Sequence, residues 1–244
     1  MNDLTGLRPW MEDTLAKYPE TIIYGFSDVA ALLPGHLKHL PRAVTFAVRM
    51  EESLMDSIKD GPTAPYYAEY KRVNALIDDL AARIAARLEA YGCQSHCIHS
   101  SQRTDQERLA GEFPHKTGAV RAGLGWIGRN CQLVTRAFGP RVRLGTILTD
   151  MPLGEPSSAY GRSYCGDCDA CVKACPTGAL TGELWTPGVE RHVLFDAHAC
   201  DSWKRAHYAA FDSDVCGICT SACPMGTERK REKKKDRRGT PACP

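Results

Sequence analysis

The alternation of apolar and polar positions over the first 150 residues predicts strands and helices in turn. The runs TIIYGFSDV (residues 21–29) and AVTFAVRM (43–50) read as strands, and CQSHCIHS (93–100) is a weaker third candidate. Between the second and third strands, apolar residues recur at helical spacing, and Gly92 supplies the stop. The helical positions are Val73, Leu76, Ile77, Leu80, Ile84 and Leu88. This succession favours an α/β fold for the N-terminal part of the chain.

The stretch GLGWIG, residues 123–128, has the spacing of a dinucleotide-binding fingerprint. That motif needs a preceding buried strand and a following helix, but the upstream run GEFPHKTGAVRA is too polar for the strand. Downstream, CQLVT and RVRLGTILTD read as a hairpin around a turn at residues 138–140. Nicotinamide binding is therefore not expected. Trp126 among the glycines suggests either a wall against a flat ligand or a tight turn with a buried ring.

Composition and charge leave few classes open. The chain has 244 residues, 43% of them apolar, and a net charge of +2, which predicts a soluble globular protein with a real core. The charged run ERKREKKKDRR (228–238) is typical of a solvated tail, with docking to nucleic acid or an acidic partner as the alternative. The N-terminus has no apolar signal core, and no stretch has the length of a membrane span, so a cytoplasmic protein without membrane contact is expected.

The amino-acid composition of the chain changes after Asp150. The segment MPLGEPSSAYGRS has the composition of a linker, and beyond it cysteines replace the aliphatic core. We therefore predict three parts: an α/β cofactor or substrate domain (1–150), a C-terminal two-cluster ferredoxin-like α+β module (151–227), and a charged tail (228–244).

The cysteines carry the clearest chemistry. The chain has 12, and in a reducing compartment they are better explained as metal ligands than as disulfides. Cys165, Cys168, Cys171 and Cys175 follow the C-x2-C-x2-C-x3-C-P spacing of bacterial ferredoxins, in which the fourth thiolate binds a second cluster. Crossed ligation then predicts two 4Fe-4S clusters, one on Cys165, Cys168, Cys171 and Cys223 and the other on Cys175, Cys200, Cys216 and Cys219. Zinc is the alternative, and the ordinary thiols would be Cys93, Cys97, Cys131 and Cys243.

At this point the chain resembles a known family. The segments RAGLGWIGRN, LGTILTD, CGDCDACVKACPTGAL, FDAHACDSW and CGICTSACP are similar, in order, to those of epoxyqueuosine reductases and the related reductive dehalogenases. The resemblance implies a cobalamin-binding domain fused to a two-cluster module, with electrons passing through the clusters to the corrin cobalt. It also implies that GLGWIG lies beside the corrin, which makes Gly123, Leu124, Gly125, Trp126 and Gly128 the candidate cofactor-binding residues.

The sequence departs from the family where a catalytic aspartate is expected, because counting back from GLGW places Leu109 there. Many of those enzymes also use a C-terminal helical-repeat extension for tRNA, which these residues lack, so epoxyqueuosine itself is not the expected substrate. His115 is the candidate proton donor, since an ordinary histidine titrates near neutral pH. Lys116 is the candidate holder of an anionic group, and Tyr67 is the second-choice donor. The carboxylates next in line are Asp105, Glu107 and Glu112.

Two functions fit these features. The first is an iron-sulfur, cobalamin-dependent reductase that takes electrons from an external low-potential donor and acts on an unidentified small molecule or nucleoside. The second is an electron-transfer protein that reduces a partner such as a corrinoid protein. The first residues, 1–150, favour the reductase, because a bare ferredoxin would not need them. A tRNA partner rests on the charged tail and the family analogy alone.

Overall fold

The computed structural model describes residues 6–18, 21–153, 159–212 and 215–227. The predicted charged tail and Cys243 lie outside these residues. The α-helices are Leu7–Leu15 (α1), Glu52–Asp56 (α2), Ala64–Ala90 (α3), His115–Arg121 (α4), Ala170–Ala174 (α5), Arg191–Leu194 (α6), Ala197–His207 (α7) and Ile218–Ser221 (α8). The strands are Ile22–Asp28 (β1), Arg42–Arg49 (β2), Ser95–Ile98 (β3), Gly125–Ile127 (β4), Leu133–Thr135 (β5) and Val142–Thr149 (β6).

The N-terminal part is built on a four-stranded sheet in the order β1-β2-β6-β3. Every pairing in it is antiparallel. The N-terminal part therefore contains the predicted helices and strands, but not the parallel pairing that the term α/β usually denotes. All three predicted strands, β1, β2 and β3, are present. The predicted hairpin after GLGWIG is wrong: β5 pairs with β4, and β6 inserts between β2 and β3.

Helix α3 covers one face of the sheet. Thr63 caps its N-terminus by accepting a hydrogen bond from the backbone N–H of Tyr66, and Gly92, with a φ of +81°, follows its end. The apolar positions predicted from helical spacing are buried on α3, apart from the half-buried Leu76, and they form the main core with β2 and β6. The sequence predicted this helix from the apolar spacing between Val73 and Leu88 and the stop at Gly92.

Helix α4 lies against the sheet and leads into the GLGWIG segment. Gly118 makes this close approach possible, because a Cβ there would lie 2.5 Å from Thr45 Oγ1 on β2. Gly25 does the same from β1, since its Cβ would lie 2.6 Å from the carbonyl oxygen of Ala122. One side of α4 is therefore fixed against the sheet.

The cysteine-rich part, residues 159–227, consists of short helices and turns around an isolated bridge between Leu180 and Phe195. Within the described residues of this module, the bridge is the main strand-like feature. The regular structure of the predicted α+β module is therefore mostly helical. The sheet's last strand ends at Thr149, and the first predicted ligand cysteine is Cys165. The boundary at residue 150 stays a prediction. No helix in the described ranges has the length and apolarity to cross a membrane.

Candidate iron-sulfur and cavity site

The eight predicted ligands lie in short helices and tight turns that bring their thiols together. Cys171 lies on α5, Cys200 on α7 and Cys219 on α8. Gly166 and Gly217 have φ values of +55° and +83°, a left-handed conformation that glycine adopts without strain, and each directly follows a ligand cysteine. The chain can therefore turn sharply within each C-x2-C unit.

Neighbouring thiols influence one another electrostatically. Burial raises the pKa of Cys223 to about 11, and the neighbouring thiolates that add to this rise are Cys165, Cys171 and Cys168. Burial raises the pKa of Cys219 to about 12, and the thiolates that add to this rise are Cys216, Cys200, Cys175 and Cys171. Because Cys171 influences both, the crossed ligand sets stay a prediction from the spacing. Neighbouring thiolates repel one another, which suits iron-sulfur centres that supply compensating positive charge.

No group of three or more His, Cys, Asp or Glu within the described residues is arranged to hold a single metal ion. The assignment of the thiols to clusters therefore rests on their spacing in the sequence.

The GLGWIG glycines bring the β4–β5 hairpin against the loop that carries Cys165. A Cβ on Gly128 would lie 2.7 Å from Val134 Cγ2 and 3.5 Å from Cys165 Sγ, and one on Gly125 would lie 2.3 Å from the carbonyl oxygen of Val134. The adjacent Arg129 donates a hydrogen bond from its guanidinium to the carbonyl of Gly166, at 2.8 Å. The motif thus packs a hairpin onto a cluster loop, a role that its resemblance to a dinucleotide fingerprint does not suggest.

Trp126, in the same motif, is buried in an aromatic group. Its ring centroid lies 5.8 Å from that of Tyr160 and 5.5 Å from that of Tyr164. Arg136 and Arg162 place guanidinium groups over the Tyr164 ring. The Trp126 ring is buried, and its partner Tyr160 lines a cavity whose lining does not include Trp126. Its role as a wall against a flat ligand stays a prediction.

A cavity of about 1020 Å³ lies where the two parts of the chain meet. From the N-terminal part it is lined by residues of α4, the preceding loop and the β4–β5 hairpin, and from the cysteine-rich part by residues 159–161 and 185–198. Of the GLGWIG segment, the lining includes Ile127. The five predicted cofactor-binding residues are not among the lining residues, namely Gly123, Leu124, Gly125, Trp126 and Gly128. Its volume reaches the upper end of the range for ligand pockets, which suits a large ligand.

Cationic side chains outnumber carboxylates in the cavity wall. The lining includes Arg108, Lys116, Arg121 and Arg191 against Glu190 and Asp196. Asp196 is already engaged as the N-cap of α7, accepting from the backbone N–H of Ala199. The wall therefore favours a ligand that carries negative charge.

Leu109 lines this cavity, at the position where the family's aspartate is expected. It has a φ of +49°, and its carbonyl oxygen accepts a hydrogen bond from Arg191, as does that of Arg108, both at 3.1 Å. The departure noted in the sequence thus falls in the cavity wall. The loop before α4 is fastened to the cysteine-rich part there, a link that the sequence did not reveal.

The three candidate catalytic residues separate in space. Lys116 lines the cavity, and its Nζ donates to the carbonyl oxygen of Cys131 at 2.6 Å. Tyr67 is buried in the main core, where its hydroxyl donates to Asp212 and its ring packs on Tyr70 and Phe211. It is not among the residues that line the cavity.

His115 lies between α4 and the sheet, outside the cavity lining. Its Nε2–H donates to the carbonyl oxygen of His99 at 3.3 Å, so in the neutral ring Nδ1 accepts from the Thr146 hydroxyl at 3.0 Å. Burial lowers the pKa of His115 to about 4. The imidazole is thus held neutral near pH 7, and this arrangement does not favour proton donation into the cavity.

The fallback carboxylates lie elsewhere. Asp105 accepts from the backbone N–H of Arg108, and Glu107 is exposed. Glu112 bridges two histidines, His36 at 2.8 Å and His96 at 2.7 Å, beside a second cavity of about 450 Å³. The hydrogen bond from His36 is the largest of the causes that lower the pKa of Glu112.

Fold and site together define a class: an iron-sulfur protein in which a helix-and-sheet domain and a cysteine-rich module enclose a cavity beside the cluster ligands. Residues 164–226 match the family described as the 4Fe-4S double cluster binding domain. This match agrees with the two clusters predicted from the cysteine spacing.

The chain is similar to epoxyqueuosine reductases, as its sequence predicted. It is 47% identical over 73 residues to the epoxyqueuosine reductase of Listeria monocytogenes, covering 30% of this chain and 19% of that protein. It is 28% identical over 204 residues to the epoxyqueuosine reductase of a Synechococcus species, covering 80% of this chain and 57% of that protein. The chain thus spans little more than half of the second relative and a fifth of the first.

Solved structures share the fold. An epoxyqueuosine reductase bound to an epoxyqueuosine-modified tRNA-Tyr stem loop superposes with a TM-score of 0.59 at 19% identity, covering 92% of this chain and 66% of that chain. A reductive dehalogenase, whose structure is said to suggest a mechanism for B12-dependent dehalogenation, superposes with a TM-score of 0.65 at 16% identity, covering 89% and 32%. The predicted resemblance to both kinds of protein is confirmed at the level of fold.

Proposed function

We propose that this protein is an iron-sulfur reductase that passes electrons from an external low-potential donor through two 4Fe-4S clusters to a substrate bound in the 1020 Å³ cavity. The observation that carries the proposal is the position of the cavity. It opens between the cysteine-rich module and α4, and its wall residue Ile127 directly precedes Gly128, whose Cβ would lie 3.5 Å from Cys165 Sγ. Electrons on the cluster bound by Cys165 would therefore arrive next to the ligand.

The proposed ligand sets are crossed, with Cys165, Cys168, Cys171 and Cys223 on one cluster and Cys175, Cys200, Cys216 and Cys219 on the other. Among them, Cys168 is exposed.

A corrinoid is the proposed cofactor of the cavity. The lining on α4, the β4–β5 hairpin and residues 185–198 would hold it, and its cobalt would supply low-valent, nucleophilic reducing chemistry. Lys116 and the neighbouring arginines are placed to bind an anionic group of the cofactor or substrate. The fit rests on the cavity's size and positive wall.

The three predicted catalytic residues have different positions relative to the cavity. His115 and Tyr67 remain candidates from the sequence, but both lie outside the cavity lining and are engaged in hydrogen bonds within the core. Lys116 is the one of the three that reaches the cavity. We therefore propose Lys116 as a direct contact and His115 as a residue that positions α4.

Cluster content and ligand sets can be tested together. Anaerobic iron and sulfide analysis should give about eight of each per chain, the content of two 4Fe-4S cubes. Cys171→Ser and Cys219→Ser should each remove one cluster, and their electron paramagnetic resonance spectra after reduction should lack different signals. Cys93→Ser is the matched control, because Cys93 is a half-buried thiol outside both sets. Loss of the same signal in both variants would contradict the crossed assignment.

Corrinoid binding is tested by adding hydroxocobalamin to the anaerobic protein and following its visible bands after gel filtration. Thr117→Trp, which places a large ring in the cavity wall, should abolish retention. Leu184→Trp, at an exposed position outside the lining, should leave it unchanged. If the wild type retains no corrinoid while both clusters are present and reducible, the cofactor proposal fails. The electron-transfer function then becomes the better explanation.

The substrate class is proposed as a small molecule or nucleoside. A tRNA partner is proposed only by analogy with the relative solved with a tRNA stem loop, because the charged run that suggested it lies outside the described residues. A filter-binding assay with a tRNA stem loop at two salt concentrations would test it. A cytoplasmic location also stays a prediction.

A further inference from the structure

We propose that the side-chain amide of Asn130 donates a hydrogen bond to a sulfur of the cluster bound by Cys165 and raises the reduction potential of that cluster. This role rests on the proposed function, which supplies the cluster, but it needs neither a corrinoid nor turnover. Asn130 lies in the turn between β4 and β5, directly before Cys131, which lines the 1020 Å³ cavity. The residue therefore belongs to the segment that joins the cavity wall to the cluster loop.

The amide nitrogen of Asn130 is a buried donor that has no acceptor among the described residues. The residue is 2% exposed, and its Oδ1 accepts a hydrogen bond from the backbone N–H of Gln132 at 3.1 Å. Because a backbone N–H can only donate, this contact fixes which end of the amide is the oxygen and leaves the NH2 group at the other end. Buried donors in native proteins nearly always have an acceptor, so we expect the cofactor of this part of the chain to provide one.

Gly128 brings this amide close to a predicted cluster ligand. A Cβ at Gly128 would lie 2.8 Å from Asn130 Oδ1 and 3.5 Å from Cys165 Sγ, so the amide and the thiol approach the same point from different parts of the chain. Since glycine has no side chain, nothing fills that point. By its spacing, Cys165 binds the cluster that it shares with Cys168, Cys171 and Cys223. The thiolate and sulfide sulfurs of this cluster are the acceptors that the site offers to the amide.

A hydrogen bond to sulfur changes the reduction potential because it is stronger in one redox state than in the other. One electron from the external donor converts the oxidised cluster to the reduced cluster and adds one negative charge. The amide binds the more negative sulfur more strongly, so it stabilises the reduced state and raises the potential. Because the cluster bound by Cys165 is the one proposed to lie beside the cavity, the hydrogen bond favours the electron next to the ligand.

The test is an anaerobic redox titration of the holoprotein with dithionite and mediators, followed by electron paramagnetic resonance. The variants Cys171→Ser and Cys219→Ser identify the signal of each cluster. Asn130→Leu removes the donor, and Asn130→Asp removes it while keeping an oxygen for the N–H of Gln132. At a fixed potential, Asn130→Leu should lower the ratio of reduced to oxidised cluster at Cys165 by about tenfold, or about 59 mV for a one-electron couple. Asn130→Asp should lower it further, because its carboxylate repels the reduced cluster. The potential of the other cluster is the internal control and should stay unchanged.

Thr135→Val is the matched control in the same hairpin. The Thr135 hydroxyl donates to the carbonyl oxygen of Gly139 at 3.2 Å, so its loss should lower the melting temperature but move neither potential. Iron and sulfide analysis shows that each variant holds both clusters. The proposal is overturned if the Asn130 variants hold both clusters at wild-type potentials, or if both potentials shift equally, and either result leaves the proposed function standing. A wild-type protein without a cluster at Cys165 overturns both proposals.

Discussion

His115 should remain a neutral imidazole across the physiological pH range. Burial lowers its pKa to about 4, and the ring is fixed by a carbonyl acceptor on one nitrogen and a threonine hydroxyl on the other. With that pKa, about one molecule in a thousand carries the imidazolium at pH 7, whereas about a quarter would at the ordinary value of 6.5. Protonating the folded protein therefore costs about 3 kcal/mol more than protonating the unfolded chain.

The assay is a pH titration from 8 to 5 of protein labelled with ¹⁵N-histidine, with the His115 signals assigned by their loss in His115→Gln. We expect the shifts of a neutral ring protonated at Nε2, unchanged over this range. Free histidine in the same buffers is the control, because its imidazole titrates within this range. A His115 signal that moves with a midpoint near 6.5 would refute the argument and restore the residue as a candidate acid.

The lowered pKa of His115 also predicts how the free energy of unfolding changes with pH. The folded pKa lies below the unfolded one, so the unfolded chain binds the extra proton between pH 6.5 and about 4. The stability associated with the neutral ring is complete above pH 6.5 and is lost as the pH falls through this window. His115→Gln should remove that slope, which comparison of apparent melting temperatures at pH 7 and pH 5 would show.

Three further changes probe the scaffold. Glu112→Gln should cost up to about 1 kcal/mol at pH 7, because it removes the charge from the partly exposed contacts to His36 and His96. Since the carboxyl pKa of Glu112 is lowered in the folded protein, the difference from wild type should disappear as the pH falls through that lowered pKa, and melting against the exposed control Glu107→Gln would show it. Asp201→Asn removes the shared ion-pair partner of Arg103, Lys204 and Arg205, next to Cys200. It should lower the free energy of unfolding by about 2 kcal/mol and speed the loss of cluster absorbance on heating, whereas the surface change Asp169→Asn should do neither. Gly139→Ala would place a Cβ 2.0 Å from the carbonyl oxygen of Met225 at a φ of +56°, so it should lower cluster occupancy measured by iron analysis. Gly182→Ala, where the nearest neighbouring atoms lie 3.9 Å away, should cost only the left-handed strain of about 1 kcal/mol.

The local elements of the fold were predictable because their signals are local. Helix α3 carries its apolar spacing, its N-cap and its glycine stop within one continuous stretch. The double cluster domain was equally predictable, because the spacing of the cysteines reflects the geometry of the clusters they bind. In both cases the information lies within residues that are close in sequence.

Pairing between distant strands was not predictable in the same way. The turn at residues 138–140 suggested that β5 and β6 form a hairpin, yet β6 pairs with β2 and β3 instead. Gly139 at that turn packs against Met225 of the cysteine-rich part. A glycine required by a long-range contact looks, in sequence, the same as one required by a hairpin.

The division of labour on α4 follows from helical geometry. Successive residues of a helix point about 100° apart, so His115 and Lys116 cannot both face the same ligand once the helix is fixed. Gly118 and Ala122 fix it, because their contacts with Thr45 and Gly25 leave no room between the helix and the sheet. His115 shares that side, and the opposite side carries Lys116, Thr117, Val120 and Arg121 into the cavity wall. The sequence HKTGAVRA thus offers a histidine to the core and a lysine to the ligand, which is why Lys116, with Cys131 beside it, is the more informative residue to mutate.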